Sequence, residues 1–375
     1  MDRFGIGQVR LPEFHIDNFR LPVFGNSSGT SGNHEIGLHK SLVDAWYFSG
    51  YSNENPPASL VGAKGNALAF LNFAFSLNSG FGIYNFNFRL WGGSDLVNRT
   101  SSALKSTLGG EVLMGGRNMS GTAGEAFHVT YPELKIRVTG LTAQSSIRIS
   151  NLLNDGSKID VVPLLDVITQ DGEYTIPAGE FTITPVEGAT ASANILYIRH
   201  YDNIEGNEIT VEQIPSYDGY LCFDGVDDYI VWKTSPILED YTVICKRKWF
   251  NTDLIPIKAI ASKRKSGVKM DGAFIFERIT NASVWALNYG FNTYIEISQQ
   301  DVVYQTASSY NGHYALKRGT LTDTELLSLG SAGPGYEFAQ CAIAYFALYS
   351  RTLTTQEIEK EKVKLEAEWN KRLIK

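Results

Sequence analysis

The chain has 375 residues, 43% of them hydrophobic, with 35 Gly, 20 Phe, 19 Tyr and 6 Trp, and carries a formal net charge of -7. That length admits two or three domains, and the glycine–aromatic mixture suits strands joined by tight turns. The acidic balance argues against a nucleic-acid binder, which needs a basic excess to neutralise phosphates. No apolar run reaches the ~18 residues of a bilayer span, so no membrane insertion is expected. The first 30 residues hold Asp2, Glu13 and Asp17 and no apolar h-region, so the chain is expected to be made in a cytosol and not to leave through a cleaved signal.

Residues 1–40 read as an extended arm. Phe4-x-Ile6-x-x-Val9-Arg10-Leu11-Pro12-x-Phe14 is echoed ten residues later by Phe14-x-Ile16-x-x-Phe19-Arg20-Leu21-Pro22-x-Phe24. The Phe-x-Ile alternation has the period of a strand, and each Pro biases the residue before it toward extended backbone. Each decapeptide spans up to ~33 Å and buries nothing by itself. We therefore expect another chain to complete it by strand addition, with Phe4, Ile6, Arg10, Leu11, Phe14, Ile16, Arg20, Leu21 and Phe24 as docking residues. An edge strand returning to its own domain is the alternative. Gly25-Asn-Ser-Ser-Gly-Thr-Ser-Gly32 then has the composition of a flexible linker.

Residues 41–216 read as a β-sandwich. Short runs such as Leu134–Thr139, Ser146–Ile149, Ile159–Val162, Phe181–Thr184 and Leu196–Arg199 alternate or are β-branched, with turn residues nearby. A turn-rich stretch, Gln213–Gly219, marks the expected boundary, and residues 217–375 read as a second sandwich ending in a helix. There Tyr220–Phe223, an Asp-Gly pair and a strand from Tyr229 give a hairpin signal. Ala342–Tyr349 reads as a buried strand. Thr354-x-x-Glu357 makes a capping box, and Ile358, Leu365, Trp369 and Leu373 share one helical face opposite a Lys/Glu-rich, solvated one. The fold class expected is all-β: tandem antiparallel sandwich or jelly-roll domains, an extended N-terminal arm and a short C-terminal helix.

Candidate chemistry is sparse. Cys222, Cys245 and Cys341 are odd in number and far apart, which suits buried thiols rather than a disulfide frame or zinc site. His34 and His39 are one residue too far apart to share a helix face as metal ligands. Asp224, Asp227 and Asp228 are calcium ligands by type, though three acids in five residues equally suit a turn closed by Asx hydrogen bonds. No cofactor is expected beyond calcium at that turn. The basic triplets Lys246-Arg-Lys248 and Lys263-Arg-Lys265 read first as solvated faces. The functional alternative is a glycan or anionic-surface site with Trp249 as a platform and Arg247 beside it. Alternation puts Lys246 and Lys248 on one side of a strand and Arg247 with Trp249 on the other.

Phe223-Asp-Gly-Val-Asp-Asp-Tyr-Ile230 resembles the opening strand pair of laminin-G-like, concanavalin-A-like lectin domains. Ala344-Tyr-Phe-Ala-Leu-Tyr-Ser-Arg-Thr-Leu-Thr-Thr-Gln-Glu-Ile358 resembles their closing strand and first helical turn. The resemblance covers the chain from Tyr217 onward and implies a two-sheet jelly roll that often binds carbohydrate or protein. Some relatives of that fold hydrolyse glycosides through a Glu-x-Asp-x-Glu strand, and no Glu here is followed by Asp at i+2. An enzyme is therefore not expected.

Leu42 to about Gly82, and Ile209-Thr-Val-Glu-Gln-Ile-Pro215, are similar to virion proteins of crAss-like phages of Bacteroidales. That resemblance implies a head fibre or capsid decoration on the virion surface, made in the host bacterial cytoplasm. Residues 1–24 would dock on a capsid or other virion protein, the chain would be a homo-oligomeric dimer or trimer, and the lectin-like domain would face a host surface glycan. A tail fibre or tail-associated receptor-binding protein, and a free bacterial carbohydrate-binding protein, are the alternatives.

Overall fold

A computed structural model describes residues 37–76, 78–83, 96–100, 102–250, 258–263, 274–280, 283–285, 298, 300–314, 326–333 and 335–373. The nine docking residues expected between Phe4 and Phe24 lie outside the described residues. The protein is mostly antiparallel β-sheet, with one helix, Thr355–Leu373, at the C-terminal end of the described residues. Residues 37–375 form one compact unit. Within it are two sandwiches, one nested in the sequence of the other.

The terminal sandwich is built from both ends of that unit. Its first sheet runs His313–Tyr314, Ser309–Tyr310, Val302–Thr306, Thr242–Trp249, Gln340–Tyr349, Tyr217–Asp224 and Gly80–Gly82, with Leu42–Tyr47 also paired to Gln340–Tyr349. Tyr47 sits opposite Tyr345, and Leu221 opposite Ile343, so Leu42–Tyr47 and Tyr217–Asp224 share one edge of the long strand end to end. The second sheet runs Ser59–Val61, Ala67–Leu71, Tyr229–Trp232, Leu327–Leu329, Lys258–Lys263, Phe274–Thr280 and Ser283–Trp285. Trp46, Phe223, Trp232, Phe274, Phe276 and Phe346 fill the space between the sheets.

This pairing corrects the boundary expected at residue 216. Residues 42–82 contribute strands to the terminal sandwich, although their partners begin only at Tyr217, beyond the whole inserted stretch of chain. Their apolar runs are short and rich in aromatics, which suits strands, but pairing is decided by tertiary packing that no local pattern encodes. The Asp-Gly turn at Asp224–Gly225 is corrected too. It does not close a hairpin: Tyr217–Asp224 lies in the first sheet and Tyr229–Trp232 in the second, so the chain arches across the core. Phe223 and Ile230 both face that core, one from each sheet.

The inserted sandwich spans residues 98–214. One sheet runs Ile159–Pro163, Ser145–Asn154, Thr190–Asp202 and Gly110–Ala123; another runs Gly172–Ile176, Leu134–Thr139, Ile209–Ile214, Ala103–Ser106 and Asn98–Arg99. Gly179–Ile183 pairs with Phe127–Tyr131 beside them. Leu104, Met114, Ile136, Ile147, Ile198 and Val211 pack at its centre. Four of the five strand runs read from the sequence here fall within observed strands, and the fifth, Phe181–Thr184, overruns the end of Gly179–Ile183 by one residue.

Gln340–Tyr349 is buried on both faces, which explains its unbroken apolar run. Cys341, Ile343, Phe346 and Leu348 face the inter-sheet core. Ala342, Ala344 and Ala347 face the helix, and their small side chains leave room for it. The capping box forms: Thr354 N–H donates to Glu357 Oε2 at 2.8 Å, and Glu357 N–H to Thr354 Oγ1 at 3.3 Å. Ile358, Leu365 and Trp369 are buried as expected, while Leu373 remains 38% exposed. Trp369 Nε1 donates to the Gly219 carbonyl at 2.8 Å, and a Cβ at Gly219 would strike Trp369 and Leu373.

The solvated helix face is narrower than expected. Glu361 is buried and accepts from Tyr349 Oη at 3.0 Å, from the His39 N–H at 2.8 Å and from Lys364 Nζ at 2.8 Å. The carboxylate thus ties the helix to the long strand and to the first described residues of the chain.

Candidate functional site

Three polar clusters carry whatever chemistry the described residues offer. The first is the arch at Asp224. Asp224 Oδ1 accepts from the Val226 N–H at 2.8 Å and the Asp227 N–H at 3.3 Å, an Asx-type closure. Asp228 is fully buried; its Oδ1 accepts from Ser79 Oγ and its Oδ2 from the Asp224 N–H, both at 2.9 Å. Asp224, Asp227 and Asp228 do each bring one ligand atom within 4.8 Å of the others, as the sequence suggested. Both oxygens of the buried member already hold donors, however, and burial pushes the Asp228 carboxyl up to about 7. A carboxyl half protonated at neutral pH is a poor start for a calcium cage, which wants charged oxygens. The turn reading accounts for Asp224 and Asp228.

The second cluster corrects the expected glycan site. Arg247 is 3% exposed and lies inside the terminal sandwich. Its Nε donates to Glu277 Oε2 at 2.7 Å and its Nη2 to Glu277 Oε1, with the carbonyls of Gln300 at 2.7 Å and Ser298 at 2.9 Å taking further N–H groups. Trp249 Nε1 donates to the same Glu277 at 2.8 Å, and Tyr310 Oη at 2.5 Å. Arg247 comes from the first sheet and Glu277 from the second, so this charge pair staples the sandwich.

The cause is local. Phe274 and Phe276 point into the core and Ile275 away from it, so plain alternation would send Glu277 outward. A φ of 47° at Glu277 turns its carboxylate inward instead. A non-glycine residue held there costs roughly 1–2 kcal/mol, offset by the four donors it gathers. Burial and the neighbouring Glu277 raise the Tyr310 phenol far above its ordinary range, so it stays a donor. Arg247 and Trp249 do share a face, as alternation required, but that face is interior.

Lys246 and Lys263 are not solvated either, while Lys248 stays about a third exposed. Lys246 lies 3.7 Å above the Trp369 ring and pairs with Glu366 at 2.5 Å. Lys263 is 1% exposed and donates to the Pro236 carbonyl at 2.6 Å. Arg264, Lys265 and His34 lie outside the described residues. Cys222, Cys245 and Cys341 are buried and free, and burial pushes each thiol well up, away from the reactive thiolate.

The third cluster was not anticipated. A cleft of about 240 Å³ on the outer face of the inserted sandwich is lined by Glu111, Ser146, Arg148, Arg199, His200 and Tyr201. Arg148 and Arg199 sit directly opposite each other on neighbouring strands, as do Ser146 and Tyr201. Arg199 pairs with Glu111 at 2.7 Å and lies 5.5 Å from the Tyr197 ring centroid. The sequence does place each Arg outward, since Ile147, Ile149 and Ile198 are core residues. It does not reveal that strands fifty residues apart set them side by side.

A scan against protein-family models finds no match for this chain, and a search of curated proteins finds none either.

Proposed function

We propose that this is a non-enzymatic structural protein of a virion, anchored by the repeat arm and presenting its sandwiches outward for adhesion to a host surface. A head fibre or capsid decoration of a Bacteroidales phage is the setting we favour. The observation that carries the reading is the decapeptide repeat ahead of residue 37. Its two copies offer one pattern of apolar knobs twice, while the strands from Leu42 onward pair with partners from within the same compact unit. An arm that its own chain does not need for folding is free to complete another chain.

The acids we can place favour scaffold over catalysis. Glu277 and Glu361 serve as internal staples, and Asp224 and Asp228 close a turn. The laminin-G-like resemblance fits the two-sheet terminal sandwich, and fold alone does not supply a ligand. Oligomerisation through the arm, as a dimer or trimer, belongs to the same proposal.

The test is the protein composition of purified particles made with the full chain and with a chain lacking residues 1–30. We expect the shortened protein to fold and to be missing from particles. Equal incorporation of both would overturn the anchor. Absence of the full chain from every particle would favour a free bacterial carbohydrate-binding protein, and presence in tail fractions alone would move it from head to tail.

A further inference from the structure

We propose that the outer face of the inserted sandwich is a binding site for an acidic sugar, with Arg148 and Arg199 as the paired anion clamp. The proposal deepens the adhesive half of the reading above and is independent of its anchoring half.

The argument starts from a cost. Residues directly opposite on an antiparallel pair have Cβ atoms about 4.5–5.5 Å apart, and like charges there destabilise the sheet. Arg148 and Arg199 occupy such a pair. Of the two arginines Glu111 pairs with Arg199, at 2.7 Å, among the described residues. Arg148 is exposed and makes no hydrogen bond or ion pair among the described residues. Two guanidinium forks side by side, one of them uncommitted, offer the donors that a carboxylate or sulfate takes up in bidentate fashion.

The surroundings select a sugar over a bare anion. Tyr201 is 46% exposed, with its hydroxyl turned to Asn203 Oδ1 at 2.6 Å. Its ring is thereby left as a flat apolar platform beside the arginines, of the kind a sugar's C–H face packs on. Ser146 lies across from it and adds a hydroxyl. Glu111 is half exposed and keeps acceptor lone pairs beyond those Arg199 uses, so it can take ligand hydroxyl donors. A bare phosphate or sulfate has no use for that acceptor or that platform. A long nucleic acid is opposed by the net charge of -7. At about 240 Å³ the cleft suits one charged ring and part of its neighbour.

The test is titration calorimetry on the full chain at low salt, with trigalacturonate, its methyl ester, a sulfated dextran oligomer and inorganic sulfate as probes. At least one acidic oligosaccharide should bind, and which one names the anion. The methyl ester should bind at least tenfold more weakly than trigalacturonate if the carboxylate is the anion. Arg148→Ala, an exposed substitution that should leave the melting curve in place, should weaken the bound probe tenfold or more, whereas Lys248→Ala in the terminal sandwich should not. Three results would overturn the site: neither acidic sugar binds, Arg148→Ala binds as tightly as the parent, or inorganic sulfate binds as tightly as the sugars. Particle incorporation needs no sugar and the titration needs no particle, so the two readings fail separately.

Discussion

Arg247 in the terminal sandwich and Arg148 in the inserted one carry the same side chain into opposite circumstances. Arg247 is flanked in sequence by lysines and a tryptophan, the composition of a surface recognition patch, yet it is buried against Glu277. Arg148 sits in a Ser-Ile-Arg-Ile run that reads as nothing more than a strand, yet it stands exposed beside a second arginine from a distant strand. One charge is consumed by the fold and the other is left over by it. A cluster along the chain is thus weak evidence for a site, while an uncompensated cluster across strands is stronger evidence.

Breaking the buried pair should give the largest effect. Glu277→Gln leaves the Arg247 charge inside without its counter-ion and should cost about 3–5 kcal/mol in urea unfolding at pH 7. Replacing both residues by apolar ones, Arg247→Met with Glu277→Leu, should recover much of that loss. If Glu277→Gln is silent, the staple is not what joins the sheets.

Next comes the arch. Asp228 titrates near 7 in the fold, against an ordinary value of 3.8, because burial disfavours its charge. Between those two values the native state holds a proton that the unfolded chain has released, so stability falls as pH rises through this window. This one group should make the protein about 2–3 kcal/mol more stable at pH 5 than at pH 8. Asp228→Asn, read by urea midpoints at both pH values, should remove that component. A variant with the parent's full pH slope would mean that Asp228 does not hold the proton.

Removing the helix cap with Thr354→Ala should cost about 1 kcal/mol. Smallest of all, Arg148→Ala should change stability by less than about 0.5 kcal/mol, and in the favourable direction, since it relieves the repulsion with Arg199. A loss of stability there would show that Arg148 serves the fold after all, and the contrast with Arg247 would collapse.

Strands and the helix were legible in the sequence because their signals are local. Leu134-Lys-Ile-Arg-Val-Thr139 alternates, Ala342–Tyr349 is unbroken because both its faces are covered, and Thr354 and Glu357 mark a helix start. Three things were not legible, each for a physical reason. The pairing of Leu42–Tyr47 with Gln340–Tyr349 depends on packing across the whole unit, so a boundary drawn from neighbouring turns fell in the wrong place. The inward turn of Glu277 depends on one positive φ, which its side chain does not announce. The Arg148–Arg199 pair depends on register between strands, which alternation leaves open.

The nested architecture is the claim on which the rest stands, and two shortened proteins test it directly. One carries residues 217–375 alone; the other joins residues 37–83 to them through a Gly/Ser linker that replaces the inserted sandwich. Leu42–Tyr47, Ser59–Val61, Ala67–Leu71 and Gly80–Gly82 are strands of the terminal sandwich, so the first protein lacks parts of both its sheets. The account predicts a cooperative urea transition for the joined protein and none for residues 217–375 alone. A cooperative transition from residues 217–375 by themselves would contradict it, and would make those residues a domain complete without the earlier strands.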